Sequence, residues 1–257
     1  MRIAALSDFH IGARRRTDGF MHDPVRFGRW LDRLEAAHDQ VVLLGDIYQT
    51  DHALVPTAAA ATRLLDQARR RVPTLSARFE RPPYVHVHGN HDLIAGEARG
   101  CPEYVRQPGR FATVLIHGHQ FDPIAVRTPW LAELGTWATG RLRAVGLRPV
   151  ARWLEARDVA LKDRRFRGPH GPYARGAARL VHQHDASIVV MGHTHCPSIT
   201  PLAAGVMVNT GTCSQGRTMW VSIDTERGSI ELHQEGCIER YQVPDALARG
   251  RGAGSAR

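Results

Sequence analysis

Five short stretches, LSDFH, LLGDI, HGNHD, LIHGH and MGHTH, deliver Asp, Asn or His side chains at the same point of a local pattern, just past an apolar run of strand length. Seven positions share this placement: Asp8, His10, Asp46, Asn90, His117, His193 and His195. Carboxylate, amide and imidazole donors without thiolates suit manganese, iron or zinc, and a shared carboxylate can bridge two such ions roughly 3.5–4 Å apart. A single histidine at a strand end is ordinarily a hydrogen-bonded structural residue; five strand ends carrying the same donor types point to one shared polar cluster. The other histidines lack this support. His22, His38, His170, His182, His184 and His233 read as surface or capping residues, while His86 and His88 alternate with Val85 and Val87 and should share one strand face in packing or supporting roles.

Those side chains need elements that bring them together. The 257 residues, 43% of them apolar, suffice to bury a full core as one large domain or two small ones. The chain alternates strand and helix patterns of the α/β kind. RIAAL, VVLLGD, YVHVHGN, ATVLIHGH and ASIVVMGHTH read as strands; VMVNTGT, TMWVSID and SIELHQ form a late all-strand group. Asp23-Pro24 supply an N-cap and first-turn pair for a helix through about Ala37, and ALVPTAAAATRLLDQARRR is mainly helical. Two packed sheets with helices outside accommodate this order. In open α/β sheets the carboxyl edge is where ligands bind, and the glycines beside the polar residues suit the sharp turns that let side chains from separate strands converge.

The formal charge of +9 is carried almost wholly by arginine, Lys162 being the only lysine. Residues 123–180 hold a net +8. Arginine suits forked hydrogen bonding of phosphate or carboxylate, so an acidic partner is expected. The same segment contains Trp130, Trp137 and Trp153; Trp130, Leu134, Trp137 and Leu142 lie on one helical stripe, followed by Val145, Val150, Trp153 and Leu154. Two readings stand: a stripe packed on the main core, or a cap that grips an apolar group while arginines hold phosphates or meet an anionic membrane. Arginine and aromatics also suit single-stranded nucleic acid. Cys101, Cys196, Cys213 and Cys237 have no paired spacing and read as reduced. No apolar run reaches the length of a membrane span, and the start MRIAALSDFH reaches polar residues too early for a signal peptide, so a cytoplasmic chain is expected, with peripheral contact to the inner membrane as the variant.

The order Asp-x-His (8, 10), Gly-Asp (45, 46), Gly-Asn-His-Asp (89–92), His (117) and Gly-His-x-His (192–195) resembles the calcineurin-like metallophosphoesterases. The resemblance implies an α/β fold, a two-sheet β-sandwich flanked by helices, with residues 1–122 and 181–243 as core and 123–180 as a basic helical cap insertion; the Gly/Ala/Arg-rich composition of the end makes 244–257 a disordered tail. It implies two divalent transition-metal ions, manganese before iron or zinc: Asp8, His10, Asp46 and His195 on one, Asp46, Asn90, His117 and His193 on the other, Asp46 bridging. His91 would protonate the leaving oxygen and Asp92 would orient it. GDIYQTD, GNHDLIAG, HGHQFD and the insertion before GHTH are similar to the UDP-2,3-diacylglucosamine pyrophosphohydrolase branch, whose substrate is lipid-linked; that branch carries Arg at the place of His91 and Asp at that of His119. Arg14, His119, Arg164 and Arg165 are the candidates for substrate contact. The implied activity is hydrolysis of a phosphodiester or pyrophosphate bond. The alternatives are a generic small-molecule or nucleic-acid phosphodiesterase and a non-catalytic scaffold on the same fold, resembling the retromer subunit.

Overall fold

The structure, a computed structural model, describes residues 1–15, 18–50, 57–166 and 168–249. Its strands are β1 (Arg2–Leu6), β2 (Ile11–Gly12), β3 (Gln40–Leu44), β4 (Tyr48–Gln49), β5 (Tyr84–Val87), β6 (Tyr104–Gln107) and β7 (Thr113–Ile116). Then follow β8 (Ile188–Met191), β9 (Ser198–Leu202), β10 (Gly205–Asn209), β11 (Trp220–Asp224), β12 (Ser229–Gln234) and β13 (Cys237–Gln242). Among the described residues one sheet runs β13-β12-β11-β1-β3-β5 and a second β6-β7-β8-β10-β9, with β2 and β4 as a small ribbon. β1, β3 and β5 are mutually parallel, as are β7, β8 and β10.

The central strands are near-continuous apolar runs because both of their faces are covered. Ile3, Ala5, Val42 and Leu44 point between the sheets, where they meet Leu115, Ile188, Val190, Val206 and Val208. Their neighbours Ala4, Leu6, Val41 and Leu43 point outward onto the helices α1 (Pro24–Ala37), α2 (Ala58–Arg71) and α3 (Pro73–Phe79). A one-residue slip would exchange the two sets, so the register is fixed by burial on both sides. The order is helices, sheet, sheet, helix. α1 begins as read, with Pro24 in its first turn and Asp23 accepting the Arg26 N–H at 2.7 Å, a cap worth about 1 kcal/mol.

The second half adds α4 (Leu93–Ala98), α5 (Pro123–Arg127), α6 (Pro129–Ala144), α7 (Arg148–Phe166) and α8 (Pro172–Gln183). Within 123–180 the helices are of two kinds. α8 buries Tyr173, Ala174, Ala177, Leu180 and Val181 against Val114, Ile116, Val189, Met191 and Met207 on the outer face of the second sheet, and so forms the fourth layer of the core. α6 and α7 instead pack on each other, with Arg143 bidentate on Glu155. Leu134, Trp137, Val145, Val150, Trp153 and Leu154 stay exposed, Trp137 at 41% and Trp153 at 58%. The stripe therefore does not pack onto the main core at these positions. The side chains of Trp130 and Arg165 lie outside the described residues, as do residues 53–56 of the expected second helix.

Five of the described strands went unread for physical reasons: β2 and β4 are only two residues long, and the other three lie at sheet edges. β9 carries Pro201 and β13 alternates little and is almost wholly exposed, both being sheet edges; β6 is a mostly exposed edge as well. After β13 the chain stays packed rather than becoming disordered at 244. Asp245–Leu247 form a 3₁₀ turn, Ser187 Oγ donates to the Leu247 carbonyl at 2.5 Å, and Arg249 N–H donates to Arg110 O at 3.0 Å. The rest of the expected tail, 250–257, lies outside the described residues.

Candidate active site

All seven strand-end residues converge at one edge of the sandwich. Asp8 and His10 follow β1, Asp46 follows β3 and Asn90 follows β5, while His117 follows β7 and His193 and His195 follow β8. The first sheet thus brings four donors and the second brings three. Sharp turns achieve this: Asp8, His10, Asp46, His193 and His195 all take left-handed backbone conformations, with φ of 58°, 53°, 54°, 67° and 59°. Non-glycine residues are uncommon in that region and each costs on the order of 1 kcal/mol or more, a strain that concentrates at functional sites. Gly89 and Gly192 allow the close approach. A Cβ on Gly89 would collide with the Asp46 carboxylate, and one on Gly192 would meet Asp8 Oδ2 at 2.6 Å.

Two groups of donors form, each with atoms within 4.8 Å of one another: Asp8, His10 and His195, and Asp46, His117 and His193. His10 with Asp46 and His91 forms a further overlapping group, so Asp46 adjoins both. His195 Nε2 lies 3.0 Å from Asp8 Oδ1, and His10 Nε2 lies 3.3 Å from His195 Nε2. His117 donates from Nδ1 to the Leu44 carbonyl at 2.6 Å, a link between the sheets that leaves Nε2 facing Asp46 Oδ2 at 3.3 Å and Asn90 Oδ1 at 3.2 Å. A ring lone pair and two oxygens gathered at one point are stable only around a proton or a cation. The residues present therefore fit a divalent ion at this place.

The electrostatics express the same demand. Burial opposes a charge on His117, yet the carboxylates of Asp46 and Asp8 outweigh it and push the imidazole up to about 9. Burial would raise Asp8 and Asp46, but His195 and His117 beside Asp8, and His117 and His91 beside Asp46, hold both carboxyls below their ordinary range. His10 is pushed down to about 3 by burial and then by His91, so it stays neutral and able to offer a lone pair. His119 is likewise pushed down to about 3, by burial and then by His117 and His193.

The supporting residues divide differently from the sequence reading. Asp92 accepts backbone N–H groups, Gly89 and Asp46 at Oδ1 (2.7 and 3.2 Å), Ile47 and Tyr48 at Oδ2 (2.8 and 3.3 Å). It braces the two strand-end turns against each other rather than orienting an imidazole, because its carboxylate is already committed to four amides. Gln49 grips His91, donating from Nε2 to ring Nδ1 at 2.7 Å, and its Oε1 accepts from His10 Nδ1 at 2.9 Å. Asp122 Oδ2 accepts from His193 Nε2 at 2.9 Å, leaving Nδ1 of that ring for the cluster. Neither Gln49 nor Asp122 was found from sequence. Their sole signal was closeness to a motif, three residues past Asp46 and five past His117.

Among the substrate-contact candidates, His119 lies near His117 and His193, tilted to the first and edge-on to the second with ring centroids 5.4 and 6.4 Å away, and its buried Nδ1 has no hydrogen-bond partner among the described residues. Arg14 and Arg164 are exposed. The α6–α7 pair reaches the rim: Cys196, next to His195, has its Sγ 4.0 Å from the Val159 carbonyl, and Arg152 Nη2 lies 3.3 Å from Met21 Sδ. Of the remaining histidines, His38 closes α1 and is buried, and His86 donates to the Phe79 carbonyl at 2.8 Å.

A mixed α/β sandwich with Asp and His donors at one strand edge defines a class of phosphoesterase, and the sequence agrees. The chain belongs to the calcineurin-like phosphoesterase superfamily, whose domain model matches residues 1–223. No curated protein matches it. Similar solved structures include Vps29 complexed with zinc from Entamoeba histolytica, at 17% identity over 95% of this chain and 100% of that one, TM-score 0.48. A conserved protein described as a predicted phosphoesterase from Streptococcus pneumoniae is 17% identical over 94% and 97%, TM-score 0.45. YfcE, a phosphoesterase from E. coli, is 12% identical over 95% and 100%, TM-score 0.43.

Proposed function

We propose that the protein is a two-metal hydrolase of a phosphodiester or pyrophosphate bond, with Asp8, His10, Asp46 and His195 holding one divalent transition-metal ion and Asp46, Asn90, His117 and His193 the other. The observation that carries this reading is the pair of donor groups, Asp8 with His10 and His195 and Asp46 with His117 and His193, together with the reach of Asp46 to His10 of the first group. When bound, such ions neutralise charge on phosphoryl oxygens and acidify water, with manganese, iron and zinc all suited to these donors. The protein's own part is to fix geometry and move one proton. His91, 3.8 Å from Asp46 Oδ2 and partly open to solvent, is placed to donate from Nε2 to the leaving oxygen, a contribution of roughly 10²–10⁴-fold for a poor leaving group. Asp92 keeps the two turns in register.

The substrate we favour is a diphosphate bearing an apolar group, of the UDP-sugar-lipid type. Arginines of the α6–α7 pair would meet the phosphates, and the exposed Trp137, Trp153 and Leu134 would meet the acyl part, at the membrane surface where such a substrate resides. Val159 beside Cys196 supports this by setting the pair at the rim of the metal-binding edge. The test is turnover by manganese-loaded protein of a lipid-linked diphosphate, a small aryl phosphodiester and a phosphomonoester, together with metal content. Asp46→Asn should lose at least one of two bound ions and abolish hydrolysis. Full activity in a metal-free protein would overturn the reading, and preference for the monoester would overturn the bond type.

A further inference from the structure

The geometry points to Gln49 as a positioning residue that decides which ring nitrogen carries the proton in two histidines at once, the metal ligand His10 and the proton donor His91. The inference rests on the roles proposed above for those two residues and adds a reason why an amide stands between them.

Gln49 lies in β4, paired in register with Gly12 of β2, and is buried at 7% exposure, so its side chain is held by the ribbon. An amide has one accepting end and one donating end. Oε1 is 2.9 Å from His10 Nδ1, which must therefore carry a hydrogen; Nε2 of that ring keeps its lone pair and faces Asp8 Oδ1 at 3.8 Å and His195 Nε2 at 3.3 Å. Gln49 Nε2 is 2.7 Å from His91 Nδ1, which must accept; the hydrogen of His91 then sits on Nε2, directed toward Asp46 Oδ2 at 3.8 Å. The two rings pack edge to face with centroids 4.8 Å apart, so neither can turn without disturbing the other. Reversing the amide would reverse both rings: His10 would present a hydrogen to the cluster, and His91 would present none. One side chain thus makes a ligand of one histidine and a donor of the other.

Two substitutions separate this role from packing. Gln49→Met keeps the volume and removes both hydrogen bonds; Gln49→Glu keeps an acceptor for His10 but forces the hydrogen of His91 onto Nδ1. Zinc binding by the metal-free full chain should weaken about 10- to 100-fold in Gln49→Met, as loss of a partner to a ligating histidine typically does, and stay within a few-fold of the parent in Gln49→Glu. Long-range nitrogen–proton spectra of the zinc-loaded protein, with His91 assigned by its absence from His91→Ala, should show His91 unprotonated at Nδ1 in the parent and protonated there in Gln49→Glu. Turnover of an alkyl phosphodiester should fall at least tenfold more than that of an activated aryl ester in Gln49→Met. A packing role predicts the opposite order, with Met tolerated and a buried Glu damaging, and that result would overturn the proposal, as would an Nδ1 hydrogen on His91 in the parent. If His91→Ala leaves the alkyl-to-aryl ratio unchanged, the donor role fails while the spectra still decide what Gln49 does.

Discussion

At the scale of single residues, the side chains around the strand-end cluster differ in what their loss should cost. Asp8, His10, Asp46, Asn90, His117, His193 and His195 meet at one edge. His91→Ala should keep the metals yet slow hydrolysis, most for substrates whose leaving group needs a proton; equal losses on alkyl and aryl esters would remove it from that role. If His193 holds an ion as proposed, Asp122→Asn should loosen that ion by tenfold or more, because a carboxylate on the far ring nitrogen raises a ligand's basicity and fixes its orientation. A titration of metal-free protein with zinc checks it, and unchanged affinity would count against Asp122. What the sequence could not show were the partners of the donors. The donors stood out by residue type and strand-end spacing, but Asp92 sits beside His91 in the chain yet serves four amides, while Gln49 and Asp122 meet histidines far from them in sequence, contacts that no local pattern encodes.

At the scale of elements, the buried strands of four residues or more were readable and edge strands were not, since β9 and β13 are held by pairing with a neighbour rather than by a pattern of their own. The end of α1 gives a pH prediction. His38 donates from Nδ1 to Leu34 O at 2.8 Å and lies 2.8 Å from Ser222 Oγ on β11, and burial lowers its basicity, as it does for His22 and His86. Such a histidine is neutral when folded and binds a proton more readily once unfolded. Its contribution is therefore complete above the unfolded value near 6.5 and is lost as pH falls below it. Melting of metal-free protein should drop between pH 7 and pH 5, and His38→Gln, which cannot titrate, should show a shallower drop. An identical slope would mean that His38 does not share in the transition.

At the scale of the whole molecule, four layers form the body and the α6–α7 pair stands apart from it with apolar side chains exposed. Periodicity could not choose between a core stripe and a cover, because it records that one helix face is apolar and not what it faces. Exposure decides the stability side. Trimming Trp137 and Trp153 to Ala should change the melting temperature little, whereas truncating two buried tryptophans would cost several kcal/mol. If the pair selects substrate, the same change should depress turnover of the lipid-linked diphosphate and spare a small aryl diester, since contacts remote from the reacting bond matter only to a substrate long enough to make them. Loss of both activities together would argue against selection. The donor cluster itself takes four residues from one sheet and three from the other, with His117 tied across to Leu44. The spacing of its atoms is thus inherited from the thickness of the oily layer beneath it. A methylene added at Ala5 or removed at Val190, far from any phosphate, would act as a shim under one half of the cluster. Substitutions in that layer should alter metal preference and rate before they alter the fold, which makes the core a tuning element for the chemistry at its edge.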